Sequence, residues 1–317
     1  MTYDSRAVRE AAQLILNEIA ADHRYGHTSH LQVRVAGETI VDEHLRGPVI
    51  DNVFSITKSV LGSTLGVMAA DDLLPPLDSP VAEVLPALRD TPAQSHTWRH
   101  LLTMTRGAQV DGPWEIDAVA ALPSGHVTHI AHAPQLHPPG TRFAYDNGGP
   151  HLVSAAATEI LDEPVSAYAA LQLFAPLGVS TIDWPTDPEG YPTGSDGLRL
   201  SADALGALGQ LWLDHGRVSG RVLLDPQFFA EMAQPQSPGG PPEGVPYGYL
   251  TWTPPPMIMA GGWAGHHLLV IPAAAAVVVI TGDPRFEPGP PPSDQLPDDW
   301  RPALDLVRRH LLPVLAG

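Results

Sequence analysis

The stretch Phe54-Ser55-Ile56-Thr57-Lys58-Ser59-Val60-Leu61-Gly62-Ser63-Thr64-Leu65-Gly66-Val67-Met68-Ala69-Ala70 decides how this chain is read. Apart from one amine, its residues are apolar or small on every side. A helix built from it has no solvent face and belongs near the centre of the molecule. Gly62 and Gly66 fall one turn apart and permit close packing there. Ser55 and Lys58 stand three apart at the start, so their side chains share a face. The helix N-terminus favours negative charge developing near Ser55. A lysine held among apolar neighbours has a lowered pKa and can take a serine proton.

The lysine is singular. Of 17 Lys and Arg residues, sixteen are arginine and only Lys58 is lysine. Arginine supplies fixed charge but does not give up its proton, whereas a buried lysine does. A deprotonatable amine is therefore what this position offers that arginine cannot. The motif S-x-x-K is weak by itself: the 317 residues include sixteen serines, so chance puts one three places before the lysine about 5% of the time.

Working outward, His30–Ala36 and Thr39–Asp42 alternate around Gly37-Glu38 and predict a β-hairpin. Met1–Ala21 reads as an amphipathic helix, interrupted by Arg6, Arg9, Glu10 and Glu18, and not as a signal peptide. From Leu73 to about Pro185 the pattern is helical with proline breaks, and Leu152–Ile160, Val165–Phe174 and Ser201–Leu213 read as helices. Tyr247–Trp252, Met257–Ala260, His267–Ile271 and Ala275–Thr281 read as consecutive strands. Turns at Pro254-Pro255-Pro256, Gly261-Gly262 and Pro272 separate them. Arg301–Leu315 reads as a closing helix, and the proline-rich stretches 235–246 and 284–297 as surface loops. The order predicts an α+β fold: a central antiparallel sheet flanked by helices, with a helical domain inserted. The expected division is residues 1–54 and 195–317 for the α/β domain and 55–194 for the helical one, with the site in the cleft between them.

Composition narrows the function. The net charge is −18, with 44% hydrophobic and 16% charged residues, which argues for a globular protein and against nucleic-acid or anionic-membrane partners. Without cysteine there is no disulfide, thiolate metal site or cysteine nucleophile. The most apolar run, Ala273–Thr281, is too short to span a bilayer, so the expected location is the cytoplasm. No G-x-S-x-G elbow or glycine-rich cofactor loop occurs, and no cofactor is expected. His126, His129, His132 and His137 suggest a metal by their number, but no nearby carboxylate pattern completes a site, and no metal is expected.

Two further segments carry chemistry. Tyr145-Asp146-Asn147 follows the turn Pro139-Gly140-Thr141-Arg142-Phe143. A tyrosine near a lysine can share protons with a serine and a leaving group. An asparagine can donate to a substrate carbonyl or hold the lysine. Gly261-Gly262-Trp263-Ala264-Gly265-His266 lets a substrate approach the backbone as an added strand. The His266 N–H with that of Ser55 could form an oxyanion hole.

The order S-x-x-K, Y-x-N, then a small-residue strand motif resembles the serine β-lactamase-like family, closest to its class C branch with esterases, D-aminopeptidases, DD-peptidases and amide hydrolases. Thr97-Trp98-Arg99-His100-Leu101-Leu102-Thr103-Met104-Thr105-Arg106-Gly107 is similar to the family's "T-x-R-x-L-L-T-H-T-S-G". Leu77-Asp78-Ser79-Pro80-Val81 with Leu85-Pro86 resembles its "L-D-D-P-V…-L-P", and Pro176-Leu177-Gly178 is a further match. The resemblance implies a site between two domains. It makes Ser55 the nucleophile, Lys58 its activator and Tyr145 a second acid/base. Asn147 becomes a substrate or lysine contact, and the His266 N–H a second oxyanion donor. The residues leave open which of Lys58 and Tyr145 is the base. Where β-lactamases and DD-peptidases carry K-T-G or H-T-G, this chain offers Trp263-Ala264-Gly265, an apolar wall without full charge. The expected function is hydrolysis of a small-molecule ester or amide through an acyl-serine. Transfer of the acyl group to an amine or alcohol is the alternative. β-Lactamase or DD-peptidase activity ranks lower, and a non-catalytic binding protein lowest.

Overall fold

The computed structural model describes residues 4–285, 296 and 298–316. Five strands, Thr28–Val35, Glu38–His44, Ile258–Gly262, His266–Ile271 and Ala276–Gly282, form one antiparallel sheet. The N-terminal hairpin joins the C-terminal strands through Thr28–Val35 beside Ala276–Gly282, and Ile258–Gly262 lies at the far edge.

Strand alternation sorts the two faces. Leu31 and Val33 stand opposite Ile280 and Val278 on one face. The helix Ser5–Ala21 buries Val8, Ala11, Ala12, Ile15 and Ile19 and packs with Glu38–His44 and the C-terminal helical segment. Gln32 and Arg34 point the other way, toward the helix Ala202–Leu213. There Gly206 lies against both side chains, and Gly209 against Val277 and Leu268. A Cβ at Gly209 would sit 2.5 Å from Val277, so glycine sets the depth of this helix on the sheet. Ser201 caps it, its Oγ accepting from the Ala204 N–H at 3.1 Å.

The helix Ile56–Ala70 is the hub. Every residue from Ile56 to Met68 is buried, as a helix apolar all round requires. Polar groups inside it are paired: Ser59 Oγ donates to the Leu250 carbonyl at 2.7 Å, and Ser63 Oγ accepts from Trp212 Nε1 at 3.0 Å. A Cβ at Gly62 would sit 3.1 Å from the Tyr249 carbonyl, which shows how closely a second chain segment passes. This helix also packs against the strands Ile258–Gly262 and His266–Ile271. The region 55–194 supplies Trp98–Leu102, Ile116–Ala120, His126–Ala131, Gly148–Leu161 and Val165–Tyr168, with short turns between them.

Several expectations change. Tyr247–Trp252 is not a strand: Val245–Tyr247 pairs with Ser237–Gly240, and the chain then reverses at Leu250, which has φ 51°. The stretch 235–246, expected as a loop, is thus a small hairpin. Gly261 and Gly262 lie in the edge strand, and the turn falls on Trp263–Gly265. The closing helix starts at Leu304, after Pro302, not at Arg301. Most of the expected loop 284–297 lies outside the described residues. No helix among the described residues is long and apolar enough to cross a membrane.

Candidate active site

Ser55 precedes the first turn of the hub helix, as its cap residue. Its position is fixed by a short two-stranded pairing of Ile50–Asn52 with Arg199–Ser201. Asn52 Oδ1 accepts from the N–H groups of Phe54 (2.8 Å) and Gly197 (3.2 Å), and Thr57 Oγ1 accepts from the Leu198 N–H at 3.3 Å. Phe54 is held at φ 48°, a left-handed conformation that costs a non-glycine residue and persists only under such constraint.

Lys58 is buried to 1% exposure. Its Nζ lies 2.9 Å from Ser55 Oγ and donates to the Ser195 carbonyl at 2.8 Å. Burial pushes its pKa down to about 7, while the negative charges of Asp196 and Asp146 resist that fall. Near neutral pH the amine is therefore poised between its two forms, in hydrogen-bond contact with a hydroxyl.

Tyr145 faces the same pair. Lys58 Nζ lies 5.0 Å from its ring centroid, and the ring stacks on Trp252 at 5.6 Å and 11°. Burial raises the phenol pKa well above its usual value, and a side-chain hydrogen bond with Ser55 works against that rise. The phenol is thus protonated at neutral pH. Asp146, between Tyr145 and Asn147, does a different job. It forms a buried, bidentate ion pair with Arg106. Its two oxygens also accept from the N–H groups of Gly148 and Gly149 at 2.9 Å each, which caps the helix Gly148–Leu161. This lock holds the Tyr145–Asn147 turn. Asn147 has no side-chain hydrogen bond among the described residues and lines the cleft.

That cleft has a volume of about 440 Å³ and is lined by Phe54, Ser55, Ile116, Asp117, Tyr145, Asn147, Asp196 and Trp263. Trp263 is 46% exposed and meets Phe54 edge-on at 5.2 Å. The other residues of its segment do not line the cleft. Ala264 is wholly buried at φ 62°, and its carbonyl leaves no room for a Cβ at Gly282. Gly265, at φ 79°, packs beside His27 and Pro302. His266 opens the next strand, and its buried ring accepts from the Gly282 N–H at 3.4 Å; burial lowers its pKa to about 3. Its ring lines a separate cavity with His30, His44 and Asp51. The backbone of Gly262 packs instead against the segment before Ser55: a Cβ there would lie 2.6 Å from the Val53 carbonyl and 3.5 Å from Ile56. Glu243, from the hairpin, covers Gly261 on the outer side.

Ser195, Asp196 and Asp117 have no motif around them, and the sequence reading missed all three. Arg106 and Asp146 stood inside quoted segments, but nothing local paired them.

Against this geometry, the β-lactamase family model matches residues 52–290. The chain belongs to the β-lactamase family. Several solved structures share the fold. One is EstCE1, described as a hydrolase with promiscuous acyltransferase activity, at TM-score 0.77 and 16% identity, covering 99% of each chain. A family VIII carboxylesterase matches at TM-score 0.73 and 14% identity, over 96% of this chain and 97% of that one. A penicillin-binding protein homologue from Caulobacter crescentus matches at TM-score 0.68 and 17% identity, over 88% and 91%. At these identities the likeness speaks for the fold alone. No curated relative matches by sequence. Within this fold Ser55, Lys58 and Tyr145 meet at the cleft.

Proposed function

We propose that this β-lactamase-fold protein hydrolyses a small ester or amide through an acyl-Ser55 intermediate. The observation that carries the reading is Lys58 Nζ, 2.9 Å from Ser55 Oγ, with a pKa brought down to about 7. Lys58 in its neutral form takes the Ser55 proton as Oγ attacks the carbonyl carbon. Tyr145 keeps its proton at neutral pH, so Lys58 is the base and Tyr145 the acid that protonates the leaving alcohol or amine. The phenolate is then reprotonated from the Lys58 ammonium. Water repeats the sequence in reverse and frees the acid.

The developing oxyanion needs two N–H donors. Ser55 supplies one at the helix start. We assign the other to the Trp263 main chain rather than to His266, because Trp263 is the residue of its segment that lines the cleft. Asn147, with its amide unengaged, is the substrate-amide contact. No lysine or arginine lines the cleft to hold a substrate carboxylate, which favours ester or simple amide substrates over β-lactams and cell-wall peptides. The same acyl-enzyme would pass to an amine or alcohol in place of water, and acyltransferase activity is what the description of EstCE1 names.

A fluorophosphonate probe and a short-chain p-nitrophenyl ester test the reading. Labelling at Ser55, absent in Ser55→Ala, with ester turnover is expected. A folded protein that is neither labelled nor active refutes it. Adding amines separates the two acceptors: amide products identify transfer, and free acid alone identifies hydrolysis.

A further inference from the structure

Of the four histidines between 126 and 137, the structure buries only His126. It opens the helix His126–Ala131 and faces His151, in the first turns of the helix Gly148–Leu161, with ring centroids 6.1 Å apart. Asp187 arrives from the loop ahead of Arg199–Ser201. One donor atom from each of the three lies within 4.8 Å of the other two. Their exposures are 7%, 5% and 6%, so all three are buried.

The remaining polar atoms of the cluster are already held. Asp187 Oδ1 accepts from the N–H groups of Glu189 and Tyr191, both at 2.9 Å. His126 Nε2 lies 3.1 Å from the Leu122 carbonyl, and His151 Nδ1 accepts from the Gly194 N–H at 3.5 Å, while His151 Nε2 and Asp187 Oδ2 face each other inside the cluster at 2.9 Å. Outer contacts of this type fix the orientation of metal ligands. His126 and His151 also line a partly open chamber of about 60 Å³, with Trp114, Ile116, Val119 and Ile130 in its walls. That is room for a few water molecules. The chamber shares Ile116, Asn147 and Asp196 with the Ser55 cleft.

We propose that His126, His151 and Asp187 bind one divalent transition-metal ion of the zinc class, with the open coordination position facing the chamber. Two imidazoles and a carboxylate are a donor set that zinc accepts while keeping a fourth position free. The sequence lacked this reading because the carboxylate and the second histidine stand far along the chain from His126. The ion takes no part in the Ser55 reaction proposed above. It would place positive charge in a chamber that Asp196 also lines.

Chelator-treated protein is titrated with Zn²⁺ alone by calorimetry. A single site with a dissociation constant below about 1 µM is expected, weakened at least about tenfold in His151→Gln and in Asp187→Asn. The double variant His129→Gln/His132→Gln, which removes two of the outward histidines, should bind as the parent does. Co²⁺ gives a second readout that needs no variant: visible absorption bands of a four- or five-coordinate ion are expected in the parent protein. Absence of a 1:1 site at about 10 µM Zn²⁺ overturns the proposal. So does unchanged affinity in folded His151→Gln and Asp187→Asn. Should those variants fail to fold, a purely six-coordinate Co²⁺ spectrum in the parent overturns it.

Discussion

Replacing Lys58 by methionine should make the protein less sensitive to pH, by an amount the structure sets. The folded pKa is about 7 against a reference of 10.5, because the amine is buried. Between those values the unfolded chain holds a proton that the folded protein does not, so stability rises with pH by about 1.4 kcal/mol per unit. The cost of burying the amine is therefore greatest below pH 7, where it amounts to about 5 kcal/mol, and vanishes above 10.5. Between pH 7.5 and 9.5 the parent should gain about 2–3 kcal/mol relative to Lys58→Met. Losing the donor to Ser195 and the contact with Ser55 shifts the variant by a constant and leaves this slope intact. Urea unfolding of both proteins at several pH values measures it, and the difference between them cancels groups common to both. A pH-independent difference would mean that Lys58 is not neutral in the folded protein at these pH values, and the base assignment would fail with it.

The same amine should appear in kinetics: kcat/KM for a neutral ester rises through a limb near pH 7, and Lys58→Arg lowers it about 10³-fold without changing the circular dichroism spectrum. Tyr145→Phe keeps the stacking on Trp252 and should lower kcat about 10²-fold for an amide but less for a p-nitrophenyl ester, whose leaving group needs no proton; equal losses would remove Tyr145 as the acid. Arg106→Met leaves the buried Asp146 carboxylate without its partner and should cost about 3–5 kcal/mol in urea unfolding at pH 7. Gly262→Ala sets a methyl against the Val53 carbonyl and should lower kcat/KM at least about tenfold, by moving the edge strand relative to Ser55, with a smaller fall in stability.

Much of this protein was legible in short spans of sequence. Helical spacing alone puts Ser55 and Lys58 on one face, and the absence of a polar side from Ile56 to Met68 marks the helix as buried. Alternation marked the N-terminal hairpin, because a half-buried sheet imposes a period of two, and short runs bounded by turn residues marked three of the four C-terminal strands. The Tyr247–Trp252 segment misled: it is rich in aromatic residues, but Tyr247 and Trp252 cluster around Tyr145 and Tyr249 packs on Phe228 instead of lining a strand. Gly261-Gly262 misled as well, since glycines that look like a turn lie in the edge strand, where Gly262 approaches the Val53 carbonyl and Gly261 lies under Glu243.

The rest depends on residues that meet only after folding. The Ser195 carbonyl reaches Lys58 through the pairing of Ile50–Asn52 with Arg199–Ser201, and Arg106 reaches Asp146 across the helical half. His126, His151 and Asp187 come from three separate elements. No local period encodes such contacts. The sequence by itself determined that a serine hydroxyl and a unique lysine amine would stand one turn apart. Only the tertiary structure decided that this amine is neutral enough to act, because the loss of water around it, not its neighbours in the chain, sets its pKa.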